Sequence, residues 1–343
     1  MVADRLNNAP SAWFYRLVWA ALVLTFVVTL LGAYVRLSDA GLGCPDWPGC
    51  YGRLDAPADA RQIAEANAAY PHRPVEPAKA WKEMLHRYVA GTLGLLILAL
   101  AALAWRNRFA AGQPVALPLG LLALVAFQAL LGMWTVTWQL KPVVVMGHLL
   151  GGLTMLGLLT WLALRQSRYG GVAVAAHDRA LRGYALLGLA LLAGQIALGG
   201  WTSANYAALA CPDFPTCQTR WWPPMEFREA FTLWRGLGIS YQGGVLTNDA
   251  RVAIQMLHRL GALIVFLYLG WLSGRLLARD RSRMVRFAGL GIAVLLISQI
   301  ALGIANVALR LPLPVAVAHS GGAALLLIAL VALNSLLRPE AAT

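Results

Sequence analysis

Apolar residues along this chain form eight long stretches that are separated by polar segments. The stretches cover residues 16–36, 83–105, 115–138, 142–164, 181–203, 252–274, 285–308 and 312–337. Each is long enough, at about 1.5 Å per helical residue, to cross about 30 Å of hydrocarbon. Backbone polar groups in lipid must be satisfied within the segment, so we expect helices. The pattern predicts an all-α polytopic membrane protein with eight transmembrane helices, the first of them retained and not a cleaved signal peptide.

Composition and charge set the expected orientation. Hydrophobic residues make up 59% of the chain and charged residues 13%, which is too apolar for a soluble domain. The chain has a net charge of +13, and its basic residues are most closely spaced in three short connections, 106–114, 165–182 and 275–286. Short basic loops favour the cytoplasmic side. We therefore predict a multi-pass protein of the cytoplasmic (inner) membrane with both termini inside, and we do not interpret the charge as nucleic-acid binding.

Three segments of the chain occur twice, in the same order and at nearly the same offset. The pairs are Met84–Arg87 with Met256–Arg259, Gln128…His148 with Gln299…His319, and Cys44–Cys50 with Cys211–Cys217. Such self-similarity is typical of a duplicated unit. It predicts two four-helix bundles, residues 1–170 and 171–343, related as parallel repeats.

Four of the six histidines lie inside apolar stretches: His86, His148, His258 and His319. From the predicted spans, all four lie roughly 5–11 Å below the outer boundary, two in each bundle. Two neutral imidazoles at one level of a four-helix bundle suit axial ligation of a haem iron. Another metal site, a proton relay and a purely structural role remain alternatives.

Charged and small residues flank these histidines. Arg87 and Arg259 follow their histidines directly, and Arg36 ends the first span on the same side. These arginines either bind haem propionates or extend to the membrane interface. Glycines such as Gly151 and Gly322 either allow close helix packing or leave room for a planar ligand.

The cysteines all lie in the two long outer loops, 37–82 and 204–251. In an oxidising compartment, two C-x5-C pairs predict two local disulfides, Cys44–Cys50 and Cys211–Cys217. A redox-active pair and a thiolate metal site are the competing interpretations.

One difference between the halves is informative. Glu83 is the only carboxylate within the eight spans, and Gln255 holds its position in the second half. Glu83 precedes His86 by three residues, on the same helical face. This position suits it to proton transfer, although an interfacial residue at a helix start is the alternative. The asymmetry predicts chemistry in the first half and a bound cofactor in the second.

At these residues the chain resembles the haem A synthase family of membrane enzymes, over nearly its whole length from Gly32 to Gly322. The resemblance rests on Arg36 with the Cys44–Cys50 loop, Glu83–Arg87, Gln128 to His148, Trp201 to Cys217, Met256–Arg259 and His319. The family's implied activity is oxidation of the C8 methyl of haem O to a formyl group by successive hydroxylations, for terminal oxidase assembly.

The resemblance also implies roles for particular residues. It implies a haem b cofactor on His258 and His319, with Arg259 nearby. It implies a haem O substrate site on His86 and His148, with Glu83 essential and Arg36 and Arg87 at the substrate. Cys44 and Cys50 match family members with a loop disulfide.

The expected partners are the haem O-producing enzyme, an unidentified electron donor and the lipid bilayer, and a homo-oligomer stays open. A di-haem b-type electron-transfer protein and a haem transporter or chaperone are the alternative functions.

Overall fold

The computed structural model describes residues 12–166 and 176–338, and this part of the chain contains eight helices long and apolar enough to cross a membrane. They are α1 Ala12–Leu37, α2 Pro77–Arg106, α3 Ala116–Thr137, α4 Pro142–Gln166, α5 Arg182–Ala204, α6 Asn248–Leu276, α7 Arg283–Ala308 and α8 Leu313–Leu336. The prediction of an all-α polytopic membrane protein is confirmed.

Two helices begin well before their apolar stretches. The α2 helix starts at Pro77 although the apolar sequence starts near residue 83, and proline in the first turn has no N–H to leave unsatisfied. The α6 helix starts after Thr247, whose side chain accepts the N–H of Ala250 as an N-cap. A first-turn proline in α2 and a threonine N-cap in α6 therefore mark these helix starts, and hydropathy does not.

The eight helices pack as two rings of four. In the first ring α1 contacts α2 and α4, while α3 contacts α2 and α4; in the second, α5 contacts α6 and α8, while α7 contacts α6 and α8. The rings join through α4 with α5, α8 with α1, and α4 with α8. The domain boundary near residue 170 lies outside the described residues, so the boundary and the duplication stay predictions.

The two cysteine loops fold in the same way. Each closes a disulfide, Cys44–Cys50 or Cys211–Cys217. A short antiparallel bridge then joins the second cysteine of each loop to Arg53 or Arg220. Two short helices, Ala60–Ala69 and Phe227–Ala230, complete the loops.

The second loop also reaches over the first ring. The Lys141 ammonium, between α3 and α4, donates to the carbonyl of Gly236, and the Tyr241 N–H donates to the Gln139 carbonyl at 3.0 Å. Lys141 is only 1% exposed, and its ammonium lies 3.1 Å from the centre of the Trp234 ring. Residues of the second loop therefore cover the end of the first ring that bears the cysteine loops.

Candidate functional site

The four histidines predicted as a group form two pairs, one in each ring. His86 on α2 and His148 on α4 lie in the first ring, and His258 on α6 and His319 on α8 lie in the second. In each ring the two helices that carry the pair are not sequence neighbours, and the histidines lie toward the end that meets the cysteine loops. All four side chains are half-buried. Each ring therefore carries the two histidines that the sequence places in one half.

Each histidine ring lies against a glycine of an adjacent helix. A Cβ added at Gly32, Gly199 or Gly303 would lie 3.2 Å from the Cε1 of His86, His258 or His319. At Gly132 the corresponding distance to His148 Cε1 is 3.6 Å. The absence of these side chains lets the imidazoles approach the odd-numbered helices closely. These glycines recur at equivalent places and were not recognised from the sequence.

The polar atoms at the two sites fit a two-ligand iron group. Nδ1 of His86, of His148 and of His319 is buried with no hydrogen-bond partner. A buried polar atom without a partner is costly, and a neutral imidazole keeps one ring nitrogen free to coordinate a metal. Among the described residues no cluster of three or more His, Cys, Asp or Glu side chains could hold a bare metal ion. The donor set therefore suits haem, which needs only axial ligands from the protein.

Glu83 is buried at the junction between α2 and the first cysteine loop, with 4% of its surface exposed. Its Oε2 accepts the Cys44 N–H at 2.9 Å, and its Oε1 lies 2.5 Å from Arg87 Nη2. The carboxylate is therefore held by an ion pair and a backbone N–H. Its predicted role in proton transfer at His86 stays a prediction.

Arg87 and Arg259 hold the cysteine loops. Arg87 Nη1 donates to the carbonyls of Asp46, at 3.0 Å, and of Gly49. Arg259 donates to the carbonyls of Cys211, Asp213 and Thr216 at 2.8–3.0 Å. These contacts engage both guanidinium groups. The predicted contact of Arg87 and Arg259 with haem propionates stays a prediction.

Arg36 lies at the junction of the two halves. Its Nη2 donates to the carbonyl of Ser203 at 2.6 Å, and its guanidinium lies 4.2 Å from the centre of the Tyr206 ring. The contact ties the end of α1 to the end of α5. Its predicted role in substrate binding is not tested by this contact.

Two glutamines at the histidines were missed as site residues. Gln195 Nε2 donates to the His258 backbone carbonyl at 2.9 Å and lies 3.0 Å from His258 Nδ1. Gln299 Nε2 donates to the His319 carbonyl at 2.9 Å. The recurring Gln128 and Gln299 were a usable signal, but nothing in the sequence alone links Gln195 to a histidine.

Comparison with known proteins gives consistent matches. The family model described as COX15-CtaA, cytochrome oxidase assembly protein, matches residues 15–331. The chain is 46% identical over 322 residues to a heme A synthase of Shewanella oneidensis, covering 94% of this chain and 95% of the relative. It is 30% identical over 341 residues to a heme A synthase of Methylobacterium radiotolerans, covering 92% and 86%. The match extends through both rings and all four histidines.

Proposed function

The chain belongs to the COX15-CtaA family of cytochrome oxidase assembly proteins, and from this premise we propose that it is a haem A synthase. Its reaction is the oxidation of the C8 methyl group of haem O to the formyl group of haem A, by successive hydroxylations. It is a membrane oxidoreductase, and its product serves terminal oxidase assembly.

The observation that carries this proposal is the presence of two histidines in each ring, all four near the same end of the protein. An enzyme that modifies one haem and uses another needs two such sites. We assign His258 and His319, within residues 171–343, to a resident haem b. We assign His86 and His148, within residues 1–170, to the substrate haem O.

The asymmetry around the pairs supports this assignment. The first site has a buried carboxylate, Glu83, next to its histidine helix, while the second has Gln255. A resident haem supplies one-electron transfer when bound. Glu83 would hold or transfer a proton at the substrate, paired with Arg87. Arg36, Arg87 and Arg259 lie at the ends of the bundles that meet the cysteine loops, where a propionate carboxylate would meet a guanidinium.

Location and partners follow from the same proposal. Eight apolar helices make this a multi-pass membrane protein. We place it in the cytoplasmic membrane, with the disulfide loops on the outer side, where an oxidising compartment preserves them. The haem O-producing enzyme supplies its substrate, and the expected electron donor lies outside this chain.

The test is co-expression with a haem O-producing enzyme, followed by chromatography of the extracted haems. Formyl haem that depends on this chain supports the synthase. Two permanently bound haems with no new product would indicate a di-haem electron carrier instead. Reversible haem loading with no product would indicate a transporter or chaperone.

A further inference from the structure

Three of the four histidines share a local arrangement with a glutamine and a glycine. His148, His258 and His319 are each followed, three residues later, by Gly151, Gly261 or Gly322. A Cβ on any of these glycines would collide with the side-chain amide of Gln128, Gln195 or Gln299 from the adjacent helix. The glycine therefore leaves the space in which the amide lies. Gln195 and Gln299 use that position to donate to the backbone carbonyl of their histidine.

His86 lacks both parts of this arrangement. The residue three positions after it is Val89, and no glycine takes that place. Gly32 lies against His86 as Gly199 lies against His258. Gln195 precedes Gly199 by four residues, and the residue four positions before Gly32 is Val28. Valine offers no donor or acceptor, and Nδ1 of His86 is left without a partner. The two halves therefore differ in how they hold the histidine on their second helix.

We propose that Gln195 is a positioning residue that fixes His258 for the resident haem, a function that the first half omits at His86. The inference rests on the proposed function, which assigns His258 to that haem. Outer-shell hydrogen bonds fix the rotation and the tautomer of a ligating imidazole. The Gln195 amide contains both a donor and an acceptor, so it can pair with either protonation state of Nδ1.

The same comparison explains why the first half would lack this contact. A resident cofactor benefits from a ligand whose ring cannot rotate, because rotation would break its bond to the iron. A substrate must enter and its product must leave at each turnover, so a ligand without an outer-shell partner suits exchange. His86, with Val28 and no glutamine at the matching position, meets that requirement. His319, whose Nδ1 is also unpartnered, is instead held at its backbone carbonyl by Gln299.

The test uses the full-length Gln195→Leu variant, with Leu198→Met as its control. Leu198 Cδ1 would lie 3.1 Å from a Cβ at Gly261, so the control alters the same contact region without touching the hydrogen bonds. We expect Gln195→Leu to bind the resident haem about 10–100-fold more weakly. We also expect a shifted midpoint potential and carbon monoxide binding to the ferrous haem, while the control keeps the wild-type values. Unchanged affinity, potential and carbon monoxide reactivity in Gln195→Leu would overturn the proposal.

A second variant reaches the same contact from the opposite helix. Gly261→Ala would displace the Gln195 amide, while alanine favours the helix more than glycine does. It should therefore weaken haem binding without loss of folding, and combining it with Gln195→Leu should add little. Normal haem binding by a monodisperse Gly261→Ala protein would overturn the proposal even if Gln195→Leu aggregated. Failure of the proposed function is distinguishable, because then the wild-type protein itself would form no haem A.

Discussion

The two halves of this protein build the same scaffold and treat its polar positions differently. In the second half Arg259 donates directly to the carbonyl of Cys211, the first cysteine of its loop. In the first half Glu83 instead joins the two elements, since its carboxylate binds Arg87 and also accepts the Cys44 N–H. A buried carboxylate is thus present at this junction in the first half, and Gln255 takes its place in the second. The helices set where the histidines lie, and single polar residues beside them distinguish the two sites.

The largest expected effect is loss of the resident haem when a histidine of the second half, but not of the first, is replaced. His258→Ala or His319→Ala should remove the resident haem, since the loss of a ligand exceeds the about 10–100-fold cost of losing an outer-shell partner. His86→Ala should leave that haem in place, because it lies in the other ring. Haem content and absorption spectra of purified, monodisperse variants measure this, with the exposed His72→Ala as control. Full haem content in both second-half variants would remove the basis for assigning the sites.

The second prediction concerns Glu83. Glu83→Gln keeps the size of the side chain and removes its charge and its proton, so that the first half resembles the second at Gln255. If Glu83 transfers a proton or stabilises charge at the substrate, haem A formation should fall by about 10²-fold or more. The resident haem should remain, and haem O or a hydroxylated intermediate should accumulate.

A matched control for this variant is Glu76→Gln, which removes an exposed carboxylate near the same helix start. It should leave haem A formation unchanged. Near-normal haem A formation by Glu83→Gln would mean that Glu83 only joins α2 to its loop. The reaction would then no longer be placed in the first half by this asymmetry.

The sequence predicts the membrane helices well because each apolar run is long enough to form only one kind of structure. It predicts the histidine pairing because the repeat places two histidines in each half. It could not show that Arg87 and Arg259 bind loop carbonyls, since this depends on the folded disulfide turns. Nor could it show the contact of Gln195 with His258, which depends on α5 and α6 lying side by side.

The third prediction compares the two disulfides. Removing either pair by double serine substitution should cost about 2 kcal/mol of loop stability, since both loops have the same length. Cys211→Ser with Cys217→Ser should keep substantial activity. Cys44→Ser with Cys50→Ser should lower haem A formation by about tenfold, because a loosened Cys44 N–H no longer positions Glu83.

Mass mapping under non-reducing conditions first establishes the pairing, and haem A assays of both double variants then follow. Cross-pairing between the loops, or free thiols in the isolated protein, would contradict the two local disulfides. Complete loss of activity in the second-loop variant, with haem still bound, would indicate a redox role for that pair.

The smallest expected effect distinguishes the loops by pH. In the second loop the Thr216 hydroxyl, with the backbone N–H groups of Thr219 and Gln218, holds the pKa of Asp213 below its ordinary value. Gly49 holds the matching position in the first loop and offers no hydroxyl. A carboxyl group with a depressed pKa stabilises the fold at pH values above its unfolded pKa of about 3.9. This stabilisation is lost as the pH falls through the lower pKa of the folded state. Because Asp213 is partly exposed, we expect its depressed pKa to contribute under about 1 kcal/mol of stability to the loop.

Hydrogen exchange at the backbone amides of Gln218 and Thr219, corrected for intrinsic rates, measures this contribution. The wild type should lose protection as the pH falls, and Thr216→Gly should lose less. Equal acid sensitivity in both proteins would mean that the backbone N–H groups alone hold the turn, and that the two loops do not differ in this respect.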